Sequence, residues 1–490
     1  MNERLILSLD QGTTSTRALL IDEAGAVRAS EGLELTQFFP ADGWVEHDPE
    51  EVLNAAGACA KSVMARKRKA GIVAIGITNQ RETTVLWDRT TGKALHRAIV
   101  WQDRRTAGMC ERLKAEGREP AIQERTGLLL DPYFSGTKLA WLLDHMPGAR
   151  TRAERGELAF GTIDSWLIFR LTGGRVHATD ATNASRTMLY DIRRGDWDED
   201  ILRWLNIPRA LLPEVKDCAA DFGTSDRAVL DAAIPILGVA GDQQAATVGQ
   251  ACFAPGEIKS TYGTGCFLLV NTGDTPPRSK ARLLGTIAYR LGGKTTYALE
   301  GSIFMAGAIV EWLKSLGLIA RAQEIDALAA RANPASRCIL VPGFVGLGAP
   351  YWAPNARGAL LGMTRDTGAP EIAAAALDAV ALQTRDLLEA VQADTGVAPS
   401  SLRVDGGLTR SDFFLQRLAD LTGAEVVRSA TTETTAVGAA FLAGLKAGVF
   451  KDLGAIAVLR RDQASFTPRL PAAEREIQYA AWRAAVARTL

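Results

Sequence analysis

Cysteine and histidine are scarce in this chain, at six and four of 490 residues. The thiols (Cys59, Cys110, Cys218, Cys252, Cys266 and Cys338) are scattered without any C-x-x-C spacing, and the histidines stand apart. Both facts exclude a zinc-type cluster and favour reduced, buried thiols over a disulfide framework. Net charge is missing too, because 56 Lys plus Arg balance 56 Asp plus Glu. No bulk field therefore points to nucleic acid or an anionic membrane. No apolar run reaches the ~18 residues of a bilayer-spanning helix. The opening MNERLILSLDQ has no hydrophobic signal core, so a cytoplasmic location is expected. A Walker A motif and a G-x-G-x-x-G after the first strand are also lacking, which argues against the P-loop and dinucleotide-binding classes.

What is present is an ordinary globular composition, 47% hydrophobic and 23% charged, in a chain too long for one core. Two domains of roughly 240 residues are expected, divided as 1–248 and 249–490. The stretch Leu5 to Asp22, LILSLDQGTTSTRALLID, reads as two apolar strands, Leu5–Leu9 and Ala18–Ile21, around a tight turn. That turn suits a nucleotide phosphate. Gly12 lets the backbone approach closely, Thr13, Thr14 and Ser15 offer hydroxyl donors, and Arg17 adds fixed charge. Asp10 at the strand end can hold Mg²⁺ directly or through water. A solvated hairpin whose Thr and Ser merely form the turn explains the same residues.

Ser260–Asn271, STYGTGCFLLVN, repeats the pattern some 250 residues later. Two similar halves closing on one nucleotide are the arrangement of actin-like ATPases. The expected fold is therefore α/β, with two RNase H-like domains flanking a central cleft for ATP and substrate. Between the hairpins, a third strand is expected over Ala26–Leu35 and a helix from Asp48-Pro49 through Lys69. A buried strand Ile72–Thr78 leads to Arg81 and Glu82, placed where α/β folds commonly bind ligands, while a neighbouring Arg and Glu taken alone read more often as a surface ion pair. Gly161–Leu171 reads as strand-to-helix and Asp180–Arg186 as a polar turn. Pro235–Gln244, PILGVAGDQQ, brings Asp242 to a strand end, either as a general base for a hydroxyl attacking a γ-phosphoryl group or as a helix N-cap. Glu300–Glu311 reads as a small-residue helix that packs near an adenine. Leu402–Leu408 is a strand ending in DGG, and Thr435–Gly448 a closely packed structural helix.

On these residues the chain resembles the FGGY family of carbohydrate kinases. YFSGTKLAW (Tyr133–Trp141) and GALLGMTRDTGAPEIAAAALD (Gly358–Asp378) match its two signatures. LDQGTTSTR, GWVEHDP, GITNQRETT, IVWQDRR, DPYFSGTK, TNASRTML, GDQQAA, YGTGCF, ALEGSIFMAGA and GLGAPYW match, in order, its glycerol-phosphorylating branch. The resemblance implies ATP as donor, Mg²⁺ as cofactor and glycerol as acceptor. It places Arg81, Glu82, Tyr133, Asp242 and Gln243 on the polyol, with Trp101 and Phe267 as apolar walls. Thr13, Thr14, Ser15, Arg17, Thr264, Gly307, Glu311, Gly407 and Ser411 fall to the nucleotide, Asp10 and Asp242 to Mg²⁺, and Asp242 to the base. Glu311 stands where bacterial members of that branch commonly have Gln, and Ser411 where they have Asn, so nucleotide affinity and base preference are open. The segment Thr224–Pro235 lacks the Gly- and Lys-rich loop that binds fructose 1,6-bisphosphate in enteric relatives, so that inhibition is not expected. The family also implies a homo-oligomer, a dimer or tetramer, with no membrane insertion. Two other readings stay open: a kinase for another polyol or a pentulose, and an actin- or chaperone-like nucleotide switch.

Overall fold

The computed structural model describes residues 4–67 and 71–490. Its first sheet is built from β1 (Arg4–Gln11), β2 (Ser15–Asp22), β3 (Val27–Glu34), β4 (Gly71–Asn79) and β5 (Ile236–Gly241), in the order β3-β2-β1-β4-β5. β1–β2 and β2–β3 are antiparallel hairpins, while β4 and β5 add parallel to β1. The second sheet contains β6 (Ile258–Tyr262), β7 (Cys266–Gly273), β8 (Leu284–Leu291), β9 (Lys294–Ile303), β10 (Ser401–Asp405), β11 (Glu425–Ser429) and β12 (Asp462–Phe466). Its order is β8-β9-β7-β6-β10-β11-β12. The inner five, β9-β7-β6-β10-β11, repeat the first sheet: an antiparallel hairpin, a third antiparallel strand, then two parallel additions. These are two RNase H-like lobes of the actin-like ATPase fold.

Nine helices matter to the site: α1 (Pro49–Arg66), α2 (Ser135–His145), α3 (Ile163–Leu171), α4 (Ala181–Ser185), α5 (Asp242–Gly249), α6 (Ala308–Ser315), α7 (Ala369–Thr395), α8 (Asp412–Thr422) and α9 (Thr434–Lys446). Asp48 caps α1 by accepting the Glu50 N–H at 2.9 Å, and Pro49 fills the first turn, where no intrahelical donor is needed. The expected end of α1 at Lys69 lies outside the described residues. Both hairpin strands are longer than expected, because their ladder continues to the pairs Gln11–Thr16 and Leu5–Asp22. The polar cluster 180–186 is a short helix rather than a turn: the Asp180 carboxylate accepts the N–H groups of Thr182 and Asn183. The six cysteines are all free, and five are buried. Among the described residues no helix is long and apolar enough to cross a membrane.

Expectation fails over Glu300–Glu311. Residues 300–303 finish β9, with Glu300 paired between Leu269 and Leu284, and α6 begins only at Ala308. Small residues there permit helix by propensity, but cross-strand pairing on both sides of β9 overrides it.

The lobes meet along α5 and α9. Although α9 lies late in the chain, it packs on the first sheet. A Cβ on Gly438 would stand 1.8 Å from the Ala245 carbonyl oxygen, and one on Gly249 would stand 2.0 Å from that of Thr434. The helices therefore touch backbone to backbone, which only glycine allows. Ser8 Oγ adds a 2.7 Å hydrogen bond to the Ala436 carbonyl.

Candidate active site

The parallel strands β1, β4 and β5 end side by side, so whatever follows them collects at one sheet edge. Asp10 stands one residue before the end of β1, Arg81 and Glu82 follow β4, and Asp242 follows β5. Glu82 is held at φ +60°, a left-handed backbone that costs a non-glycine residue energy and recurs at functional sites. Two hydroxyls, Ser135 Oγ at 2.9 Å and Thr84 Oγ1 at 3.1 Å, donate to its carbonyl and fix it. Asp242 is the first residue of α5 and Gly241 is the cap, so Asp242 is not the N-cap considered from the sequence. Its carboxylate accepts the Gln243 N–H at 2.7 Å and stays about 30% exposed to the cleft.

Beneath this edge lies a buried ionic cluster. Arg81 Nε sits 3.1 Å from Asp242 Oδ1, while its Nη1 and Nη2 donate to Glu300 Oε2 and Oε1 at 2.5 and 3.1 Å. Arg186 donates from Nε to Glu82 Oε1 at 2.7 Å and from Nη2 to Glu300 Oε1 at 2.9 Å. Sequence reasoning missed Arg186 and Glu300. The available signal was a charged residue inside an otherwise apolar or small-residue run, which must find partners when buried. Burial alone would raise Glu300, but Arg186 and Arg81 more than offset it and hold its carboxyl below the ordinary range. Glu82 and Asp242 are raised by burial despite their cationic neighbours. Lys259, also missed, is fully buried, which lowers its ammonium; its Nζ donates to Gln243 Oε1 and lies 3.2 Å from Thr261 Oγ1.

An aromatic wall closes one side. The Trp101 ring meets Tyr133 edge-on at 5.5 Å and Phe267 at 6.0 Å, so residues of both lobes contribute. Trp101 Nε1 donates to Thr13 Oγ1 at 2.9 Å and ties this wall to the first hairpin turn. Burial pushes the Tyr133 phenol well up, so it remains a donor. The arrangement suits a small polyol: charged acceptors and donors for hydroxyls, and flat apolar faces for carbon.

The nucleotide-side candidates are more dispersed. Gly12 N–H bonds the Ser15 carbonyl at 2.9 Å, which shapes the first turn and leaves Thr14 exposed and Thr13 and Ser15 partly so. Arg17 pairs with Glu433 at 2.9 Å across the cleft mouth. Thr264 lies in the second turn, whose carbonyls accept from the N–H groups of Ala306, Gly307 and Ala308. A Cβ on Gly307 would strike the Gly263 carbonyl at 2.5 Å, whereas Gly407 has open space around it. Glu311 is exposed and pairs with Lys314. Ser411 caps α8 through the Phe414 N–H and donates to Asp326 Oδ1 at 2.5 Å. Asp405, Thr409 and Arg410 line a cavity of about 380 Å³ with Asp326, Arg428 and Thr431.

Asp10 is pushed up to about 7, chiefly by burial, with Glu433 and Asp242 adding repulsion and Arg17 opposing. A divalent cation beside it would relieve that repulsion. Among the described residues no group of three or more His, Cys, Asp or Glu is placed to hold a metal. A carboxylate such as Asp10 suits an ion that keeps several waters and arrives on phosphates, as Mg²⁺ does.

Known proteins share the sequence and fold of this chain. Residues 5–249 match the N-terminal domain of the FGGY family of carbohydrate kinases, and 258–447 its C-terminal domain. The chain is 60% identical to a glycerol kinase of Methylobacterium nodulans, over 99% of this chain and 97% of that one. It is 59% identical to a glycerol kinase of Xanthobacter autotrophicus, over 98% of each. The fold superposes on Plasmodium falciparum glycerol kinase with ADP at TM-score 0.94 and 38% identity, covering 100% of this chain and 99% of that one. A xylulose kinase from Lactobacillus acidophilus shares the fold at TM-score 0.88 and 24% identity, covering 99% and 98%. Paired hairpin lobes, a carboxylate at the end of β5 and matches along nearly the whole length lead to one assignment: this chain belongs to the FGGY family of carbohydrate kinases.

Proposed function

We propose that this protein transfers the γ-phosphoryl group of ATP to glycerol, giving sn-glycerol 3-phosphate and ADP as a first step of glycerol use. One observation carries the reading: Arg81, Glu82 and Asp242 converge at one sheet edge behind the Trp101–Tyr133–Phe267 wall. Full-length relatives named glycerol kinases support it.

In this reading residues 1–248 carry the polyol site and base, and 249–490 much of the nucleotide site. Arg81, Glu82, Tyr133, Asp242 and Gln243 hold the hydroxyls and turn one terminal hydroxyl towards the γ-phosphorus. Asp242 accepts its proton as the new O–P bond forms and the β,γ-bridging P–O bond breaks. Thr13, Thr14, Ser15 and Arg17 receive phosphate oxygens, and Thr264, Gly307, Glu311, Gly407 and Ser411 border the remainder of the nucleotide. Asp10 and Asp242 would hold Mg²⁺, which when bound neutralises phosphate charge. Burial suits Asp242 to this role, because its raised pKa moves a carboxylate towards the operating pH. Closure of the lobes excludes water and limits ATP hydrolysis.

The test is ADP release with Mg-ATP in the presence of glycerol, xylulose, ribulose or erythritol. Strong stimulation by glycerol alone is expected. Stimulation mainly by another compound would assign a different acceptor. Slow turnover indifferent to all four would point to a nucleotide switch.

A further inference from the structure

Glu300 is the one acidic member of the buried cluster that comes from the second lobe, on β9. It is fully buried and accepts three hydrogen bonds, two from Arg81 and one from Arg186. Arg81 thereby commits Nη1 and Nη2 to Glu300 and presents only Nε to Asp242, 3.1 Å away. Arg186 commits Nε to Glu82 and Nη2 to Glu300, and its Nη1 is buried with no partner. A planar guanidinium spans two acceptors in this way, where an ammonium cannot. Without the Glu300 charge, the nearest anions for Arg81 are Asp242 at 3.1 Å and Glu82 at 4.0 Å, so its fork would turn onto those two carboxylates.

We propose that Glu300 is a positioning residue for the polyol site. It draws the Arg81 fork away from Asp242 and, through Arg186, fixes Glu82, so the site is assembled only when the second lobe is docked on the first. The inference rests on the reading of Arg81 and Glu82 as polyol-binding groups. It explains why four charges are buried where a hydrophobic core would be at least as stable.

The test compares Glu300→Gln, which keeps the shape and removes the charge, with Glu300→Asp, which keeps the charge, and with Arg81→Ala. Steady-state KM for glycerol and for ATP, kcat, Tm and the preference for glycerol over propane-1,2-diol are measured for each. In Glu300→Gln the KM for glycerol should rise about tenfold or more, the scale of a lost charged hydrogen bond, while that for ATP changes less than twofold. Preference for glycerol over the diol should fall by a similar factor, and Glu300→Asp should recover part of both. If Glu300→Gln fails to fold, Glu300→Asp decides, with a several-fold rise in glycerol KM at near-normal Tm expected. Unchanged glycerol KM and diol preference in the folded variants, with Arg81→Ala impaired for glycerol, would overturn this inference alone. An unaltered glycerol KM in Arg81→Ala would overturn the reading beneath it as well. Parallel loss of ATP and glycerol affinity would mark Glu300 as merely structural and also overturn the proposal.

Discussion

Replacing Asp242 with Asn separates chemistry from folding, because the two effects should carry opposite signs. The side chain accepts the Gln243 N–H at 2.7 Å, a bond that an Asn carbonyl oxygen can also accept, and its Oδ1 lies 3.1 Å from Arg81 Nε. Arg81 keeps Glu300 and Gln244 as partners in either case. Burial raises the Asp242 pKa above its ordinary value, so the ionised carboxylate burdens the folded state at neutral pH. Removing that charge should leave Tm unchanged or slightly raised. Activity should move the other way. A lost general base costs about 10²–10⁴ in kcat, or about 2.7–5.4 kcal/mol at 1.36 kcal/mol per decade. The assay is ADP release coupled to NADH oxidation, at saturating Mg-ATP and glycerol, beside a thermal melt of the same preparation. A kcat within tenfold of the parent at unchanged Tm would refute the base assignment. A matching collapse of kcat and Tm would refute the claim that this carboxylate is spared from holding the fold.

Arg81→Ala should raise the KM for glycerol at least tenfold and leave ATP affinity nearly intact, measured by initial rates with each substrate varied. Asp10, raised to about 7 from 3.8, binds a proton when folded that the unfolded chain has lost. Stability from this group is therefore present at low pH and lost as pH rises through that window, whereas cation binding needs the ionised form. KM for Mg-ATP should rise as pH falls from 8 to 6, and Asp10→Asn should flatten the profile. Glu433→Gln frees Arg17, which is 49% exposed, so an effect of about two- to fivefold on ATP affinity is expected, with little change in Tm, as for any exposed pair. Gly438→Ala should destabilise by about 1–3 kcal/mol, since its Cβ would lie 1.8 Å from a carbonyl oxygen. Gly57→Ala in α1, where nothing lies within 4 Å, should raise the melting temperature slightly.

Local signals carried much of the fold. The two Gly-Thr turns between apolar runs mark β1–β2 and β6–β7, and GDQQAA marks the step from β5 to α5, because turn chemistry and strand pattern act within a few residues. Glu300 reads as helical from sequence because its neighbours suit a helix, and only the ladder to Leu269 and Leu284 makes them a strand. Arg186 gave only the sign of a charge that needs partners when buried, and Lys259 gave no local sign of function. Each becomes meaningful through partners 104 and 16 positions away, Glu82 and Gln243. The docking of α9 was half legible: its Ala and Gly residues announce close packing, but sequence does not name α5 and the first sheet as the surface.

The lobes are joined by contacts whose physics differs, among them a backbone hydrogen bond from the Gly285 N–H to the Gly127 carbonyl at 2.8 Å beside buried Leu284, Ile287 and Tyr297. Along α5 and α9, carbonyl groups and glycine Cα atoms touch directly, and a Cβ on Gly76 or Gly238 would likewise meet α9 backbone at 2.4 and 2.3 Å. Buried side chains such as Val248, Val437, Phe441 and Leu442 fill the space around these contacts, and close-packed interiors resist sliding. At the cleft, by contrast, Glu300 reaches Arg81 and Arg186, Phe267 faces Trp101, and Glu433 reaches Arg17, all through side-chain atoms. Separating these partners would cost little for exposed Arg17 and more for the buried cluster. In the proposed closure of the lobes, the buried ionic cluster is the contact at the polyol site that depends on how the second lobe is placed. In the proposed reading Arg81 and Glu82 face the polyol and belong to that cluster, so Glu300 ties their placement to the second lobe.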